Sequence, residues 1–161
     1  MTFQQLAGRA AAAIHARLMA QLPGGVTAQG ILELPVEALR AAGLSAAKAA
    51  SIRELAARVA GGELPLESLA SLPDEEVVAS LSRIRGIGRW TAEMFLIFSL
   101  RRLDVWPVGD HGVRQGYATI HGLGSPPRPG ELLELGERYR PYRTALAWYC
   151  WRAAETVLPE E

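Results

Sequence analysis

Glycine and proline break this chain at short intervals, at Gly24-Gly25, Pro35, Gly43, Gly61-Gly62, Gly86 and Gly88, Pro107 and Gly109, the run GLGSPPRPG at 122–130, and Pro141. No regular element can therefore be long. Between the breaks, apolar residues recur three and four apart, as with Leu6, Ala10, Ala13, Ile14 and Leu18 in the segment 3–20, which is the period of a helix with one buried face. Ala, Leu and Arg are abundant and β-branched residues sparse, so propensity and period agree on an all-α chain.

The pattern predicts helices at 3–20, about 27–33, from Pro35 through VEALRAA, and from a Ser45 cap to Gly61. A short one follows near Leu66, then 74–84, 89–100, 110–121, about 131–138 and 142–156. GLSAAKA at 43–49 echoes GIGRWTA at 86–92, although two such units do not make a repeat array. At 161 residues the chain suits one compact domain.

The lone Cys150 leaves no material for an intramolecular disulfide, an iron–sulfur cluster or a multi-cysteine zinc site. Cytoplasmic residence is the corresponding expectation, with association to the nucleoid in a bacterium. No apolar run approaches the roughly 18 residues of a membrane span, which argues against a membrane partner. His15, His111 and His121 share no metal-ligand spacing and read as surface or capping residues. The 17 basic and 17 acidic groups balance overall, yet around Arg83, Arg85, Arg89, Arg101 and Arg102 only Glu93 opposes five positive charges. That concentration suits a local anionic contact rather than a coat of charge.

The segment Ile84-Arg85-Gly86-Ile87-Gly88-Arg89-Trp90-Thr91-Ala92 is the most informative. Its glycines permit a tight turn and a close approach by another molecule, Ile87 can plug back between the flanking helices, and the next helix opens with unpaired N–H groups beside Arg85 and Arg89. On the residues alone this is either an ordinary turn or a phosphate site. Asp110, 22 residues beyond Gly88, likewise reads either as a helix N-cap, worth about 1 kcal/mol, or as a functional carboxylate.

Five ordered motifs resolve these alternatives: QQL at 4–6, GLSAAKA at 43–49, GIGRWTA at 86–92, PVGD at 107–110 and RPYRTALAWYCW at 140–151. Together they resemble the helix-hairpin-helix (HhH-GPD) superfamily of DNA glycosylases, in its 3-methyladenine DNA glycosylase II branch. The resemblance implies an all-α fold over 1–161, with two helical lobes, a cleft and a helix-hairpin-helix at about 74–100. It also implies one more helix before QQL than this chain begins with. Asp110 takes the catalytic position. Trp90, Trp151 and Met94 fall at base-pocket positions, Met94 where the family often has tyrosine. Arg85, Gly86, Ile87, Gly88, Arg89 and Thr91 fall on the DNA-binding hairpin, Arg85 replacing a usual proline. Gln5 and Leu6 match the residues that fill the gap left by an everted nucleotide. Trp148 and Tyr149, on the same segment as Trp151, read instead as core packing.

Relatives that also cleave the backbone carry a lysine where this chain has Trp90, and Lys48, its only lysine, matches a non-catalytic family position. An arginine cannot form an imine in its place. The resemblance thus implies a monofunctional glycosylase for alkylated bases such as 3-methyladenine and 7-methylguanine, acting on damaged double-stranded DNA. No organic cofactor or obligate protein partner is implied, and Na+ or K+ on the hairpin carbonyls is the only ion. A helix-hairpin-helix DNA-binding module without catalysis is the alternative, and a helical interaction protein without DNA a third.

Overall fold

A computed structural model describes residues 8–155, and among these every regular element is helical. The chain divides into two compact units that meet in sequence at Thr91 and Ala92.

The first unit contains α1 (Gly8–Ala20), α2 (Ala28–Glu33), α3 (Val36–Ala41), α4 (Ala46–Ala60), α5 (Leu66–Leu69) and α6 (Asp74–Ser82). Thr27 and Ser45 cap α2 and α4 by accepting from the amides of Gly30 and Lys48, at 3.0 and 3.2 Å. Pro35 stands just before α3 as its cap rather than inside it, because its extended backbone delivers the chain to the first turn. Ile14, Leu18, Ile31, Leu39, Leu44 and Ala49 form the core of this unit. Arg17 and Arg53 tie the connections down from outside, donating to the carbonyls of Ala42 (2.9 Å) and Leu34 (2.7 Å). The unit ends in the hairpin and the first turn of α7 (Arg89–Phe98).

The second unit holds the rest of α7, then α8 (His111–His121), α9 (Pro129–Gly136), a 3-10 turn at Glu137–Tyr139 and α10 (Arg143–Glu155). Helix α9 begins two residues earlier than its pattern predicts. Pro129 is comfortable at a first helical position, where its missing N–H costs nothing, and the Glu131 carboxylate accepts from the Arg128 amide at 2.8 Å. Trp106, Val113, Tyr117, Leu132, Ala147 and Cys150 make the core of this unit. Helices α8 and α10 cross at Gly116, where a Cβ would lie 1.7 Å from the Cys150 carbonyl oxygen. Only glycine lets these two backbones touch, and that crossing fixes the register between the start of α8 and the middle of α10.

The entry to α10 is held by charge. Arg143, 8% exposed at its side chain, donates from Nε to Asp104 Oδ1 at 2.7 Å and from Nη1 to Glu137 at 3.1 Å, while Arg140 reaches Asp104 at 2.8 Å. Burial pushes the Asp104 carboxyl up, but the bonds and charge of Arg143, with Arg140 behind, outweigh it and hold the group below the usual range. A depressed carboxyl stabilises the fold above its unfolded value, near 3.9, and that contribution disappears as pH falls through the folded value. Urea midpoints should therefore be level from pH 7 to 5 and fall below about pH 4, with a shallower acid fall in Asp104→Asn. Equal acid slopes would contradict the sign.

Candidate active site

The hairpin lies between α6 and α7, with Leu81, Ile84 and Ile87 buried beneath it. Gly86 has φ +80, a left-handed value that favours glycine, and this turns the chain at the tip. Gly88 differs from expectation, since its φ is not positive; a Cβ there would meet no atom within 4 Å, so its bare backbone simply leaves an open surface. Arg85 is exposed. Arg89, read from sequence as a second phosphate contact, is exposed and paired within the protein. Its guanidinium grips the Glu75 carboxylate with two bonds, one of 3.0 Å, joining the first turns of α6 and α7. The bond from Arg89 draws the Glu75 carboxyl below its ordinary value. Thr91 is half-buried one turn into the helix.

In the second unit, Asp110 caps α8, accepting at Oδ1 from the Val113 amide at 2.8 Å, and its own amide closes a turn onto the Pro107 carbonyl at 2.9 Å. The PVGD motif thus builds a rigid corner that delivers the carboxylate to the helix start, where N–H groups and the dipole attract it. The same Oδ1 accepts from the Trp151 indole Nε1 at 3.0 Å. Gly112 makes room for this bond: a Cβ there would sit 3.0 Å from Trp151 Cδ1 and 3.2 Å from Asp110 Oδ1. Two of the residues singled out by sequence are therefore brought together as a carboxylate under an indole, 41 positions apart.

The indole has ring neighbours that sequence reading missed. Phe98 stacks on Trp151 with centroids 6.0 Å apart and planes 18° from parallel. Trp148 sets its edge against both, at 5.5 and 5.7 Å. Trp148 is 48% exposed and Tyr149 70%, which overturns their reading as core. The core face of α10 is taken by Ala147 and Cys150, small residues that let α8 approach, so the large rings of the helix turn outward. Trp90 and Met94 are half-buried on α7, and with Phe98 they follow one another at intervals of four along one side of that helix. Gln5 and Leu6 lie outside the described residues.

Trp151→Phe keeps a ring against Phe98 but removes the donor to the carboxylate. A hydrogen bond to a charged acceptor contributes roughly 1.5–3 kcal/mol, so Tm should fall by several degrees, at about 2–4 °C per kcal/mol for a protein of this size. An unchanged Tm would show the bond to be incidental.

Among the described residues, no group of three or more His, Cys, Asp or Glu side chains is placed to hold a metal ion. The Cys150 thiol is fully buried, and burial pushes it up to about 12.

The buried Asp110 carboxylate, held by the Val113 amide and the Trp151 indole, is a fixed negative charge beside a cluster of aromatic rings. The model of the HhH-GPD superfamily base excision DNA repair proteins matches residues 1–141. DNA-3-methyladenine glycosylase 1 of Schizosaccharomyces pombe is 40% identical over 155 residues, covering 94% of this chain and 68% of that protein. The solved structure of the 3-methyladenine DNA glycosylase of the same yeast with abasic DNA superposes with a TM-score of 0.87, covering 94% of this chain and 75% of that one. A DNA-3-methyladenine glycosidase from Bacillus halodurans gives 0.85 at 38% identity, over 96% of this chain and 72% of that one. On the family match over residues 1–141 and the 40% identity across 94% of its length, this chain belongs to the HhH-GPD superfamily of base excision DNA repair proteins.

Proposed function

We propose that the chain is a monofunctional DNA glycosylase that releases alkylated purines of the 3-methyladenine and 7-methylguanine type from double-stranded DNA. The observation that carries this reading is the Asp110–Trp151 pair, 3.0 Å apart, with Phe98 stacked on the indole. Relatives named DNA-3-methyladenine glycosylases, one of them solved on abasic DNA, support it further. Both units, residues 1–161, belong in this reading to one glycosylase domain.

The chemistry follows from the groups present. A purine methylated at a ring nitrogen carries positive charge and leaves readily, so little acid catalysis is needed. An aromatic face attracts such a base by about 0.5–2 kcal/mol, and eversion brings it out of the helical stack. As the C1′–N bond breaks, its electron pair goes to the base and the sugar becomes an oxocarbenium-like cation. The Asp110 carboxylate stabilises that charge at fixed distance. Water then forms the new C1′–O bond and gives its proton to Asp110 or to solvent. The product is an intact strand with an abasic site.

Gly86, Ile87 and Gly88, with Arg85 beside them, form the strand-binding hairpin of this reading; Thr91 supports it from α7, and Arg89 acts through its bond to Glu75. By the family resemblance Trp90 and Met94 are assigned to contact with the base, and Gln5 and Leu6 to filling the gap in the duplex. The turn at 83–88 carries no carboxylate, so a Na+ or K+ ion there would be held by main-chain carbonyls, and its charge would favour a nearby phosphate.

Incubation with duplex DNA containing 7-methylguanine or 3-methyladenine should liberate free base and leave a strand that breaks only on later alkali treatment. Release of neither base would overturn the glycosylase reading. Borohydride should trap no protein–DNA adduct, because the only lysine, Lys48, lies in the first turn of α4; a trapped band would instead demonstrate an imine and a lyase.

A further inference from the structure

Arg101 is the one residue other than glycine, among those described, with a positive φ, +55. An L side chain there crowds its own backbone, so the conformation persists only where the surroundings impose it. Here they do. Upstream, the Ser99 and Leu100 amides both close onto the Phe95 carbonyl, at 2.9 and 3.1 Å, and the Arg102 amide reaches back across the left-handed residue to the Leu96 carbonyl at 3.0 Å. Downstream, Thr144 receives the chain: its hydroxyl donates to the Arg102 carbonyl at 2.8 Å and its amide to the Leu103 carbonyl at 3.0 Å. Glycine would fit this position without strain. The chain instead keeps an arginine there, exposed and with no carboxylate against it among the described residues.

Its place in the fold suggests the reason. Arg101 lies three residues beyond Phe98, whose ring stacks on the indole that holds Asp110. Three residues span at most about 11 Å of chain, and an extended arginine adds a further reach comparable to the spacing of successive phosphates. We propose that Arg101 is a phosphate contact, its guanidinium binding a phosphodiester of the damaged strand next to the everted nucleotide. The proposal rests on the glycosylase reading above and adds to it a binding residue outside the hairpin. Because residues 102–104 are pinned to α10, the charge is presented from a fixed platform, and part of the ordering cost of binding is met in advance.

The test uses the full chain and a duplex bearing a tetrahydrofuran abasic analogue, with affinity measured as a function of salt. Each phosphate contact adds about 0.9 to the slope of log K against log salt. Arg101→Gly should lower the slope by about that amount and weaken binding about tenfold in low salt, while Tm holds or rises by about 2 °C as strain is relieved. Arg101→Asn, neutral and tolerant of this backbone, should show the same loss of slope, and Arg101→Lys should retain it. If the unsubstituted chain binds and releases base, but the Gly and Asn variants keep its affinity and slope, the phosphate assignment is wrong and the glycosylase reading stands. If the unsubstituted chain shows no salt-dependent DNA binding, both fall together.

Discussion

Asp110→Asn should all but abolish release of 7-methylguanine, by about 10³-fold, the scale on which one fixed charge stabilises a charged transition state, while duplex affinity stays within a few-fold. The amide is nearly the same size, and its oxygen can still accept from the Val113 amide and the Trp151 indole, both now on Oδ1. The cap and the corner therefore survive. What is lost is the negative charge that the proposed mechanism sets against the sugar, which matters only as the C1′–N bond lengthens. Single-turnover release and affinity for an abasic-analogue duplex, measured together, separate the two effects. Release within tenfold of the unsubstituted chain would move the catalytic charge elsewhere and leave Asp110 as a cap alone.

Gly116→Ala is expected to be the most damaging single methyl addition in the second unit. The new Cβ would fall 1.7 Å from the Cys150 carbonyl oxygen and 2.4 Å from its carbon. These are main-chain atoms inside a helix, so no side-chain rotation relieves the overlap and α8 must move from α10. Overpacking typically costs about 1–3 kcal/mol and occasionally more, and a contact with backbone belongs at the upper end. A fall in Tm of roughly 8–12 °C follows from that energy in a protein of this size, or failure to accumulate as a folded protein. The separation would also lengthen the Asp110–Trp151 bond, so any protein that does fold should release base slowly. A Tm within 2 °C of the unsubstituted chain would mean that the crossing is looser than described.

Much of this was legible in sequence because the informative signals are local. Ser45 ahead of an alanine-rich run, Pro35 before VEALRAA and Asp110 before HGVRQG each announce a helix start through their own backbone chemistry. Ile87 between two glycines announces a plug in a turn. The remaining features depend on what crosses what. Nothing around Gly112 or Gly116 says that another helix passes there, since a glycine inside a helix is locally only a cost. Trp148 and Tyr149 pointed to a core because large aromatics usually enter one, but the small Ala147 and Cys150 hold that face. Phe98 sits in RWTAEMFLIF, apolar on nearly every side, so its neighbours on the helix hid its direction; the spacing of Trp90, Met94 and Phe98 was the available clue. Arg101 was visible only as one of a group of basic residues; its left-handed backbone carried no local mark, because part of what holds it is Thr144, 43 residues away. The Arg89–Glu75 pair was equally hidden, because the 14 positions between the two residues give no sign that the first turns of α6 and α7 lie side by side.

The buried sulfur of Cys150 has a bearing on survival. Electrophiles that methylate purines also attack thiolates, and a protein that must work while such agents are present is endangered by any accessible one. Here the single thiol lies beneath the helix crossing, stays protonated until far above neutrality, and offers a methylating agent almost no nucleophile. The close packing beneath Gly116 thus also removes the chain's one thiol from the alkylating chemistry that produces such lesions.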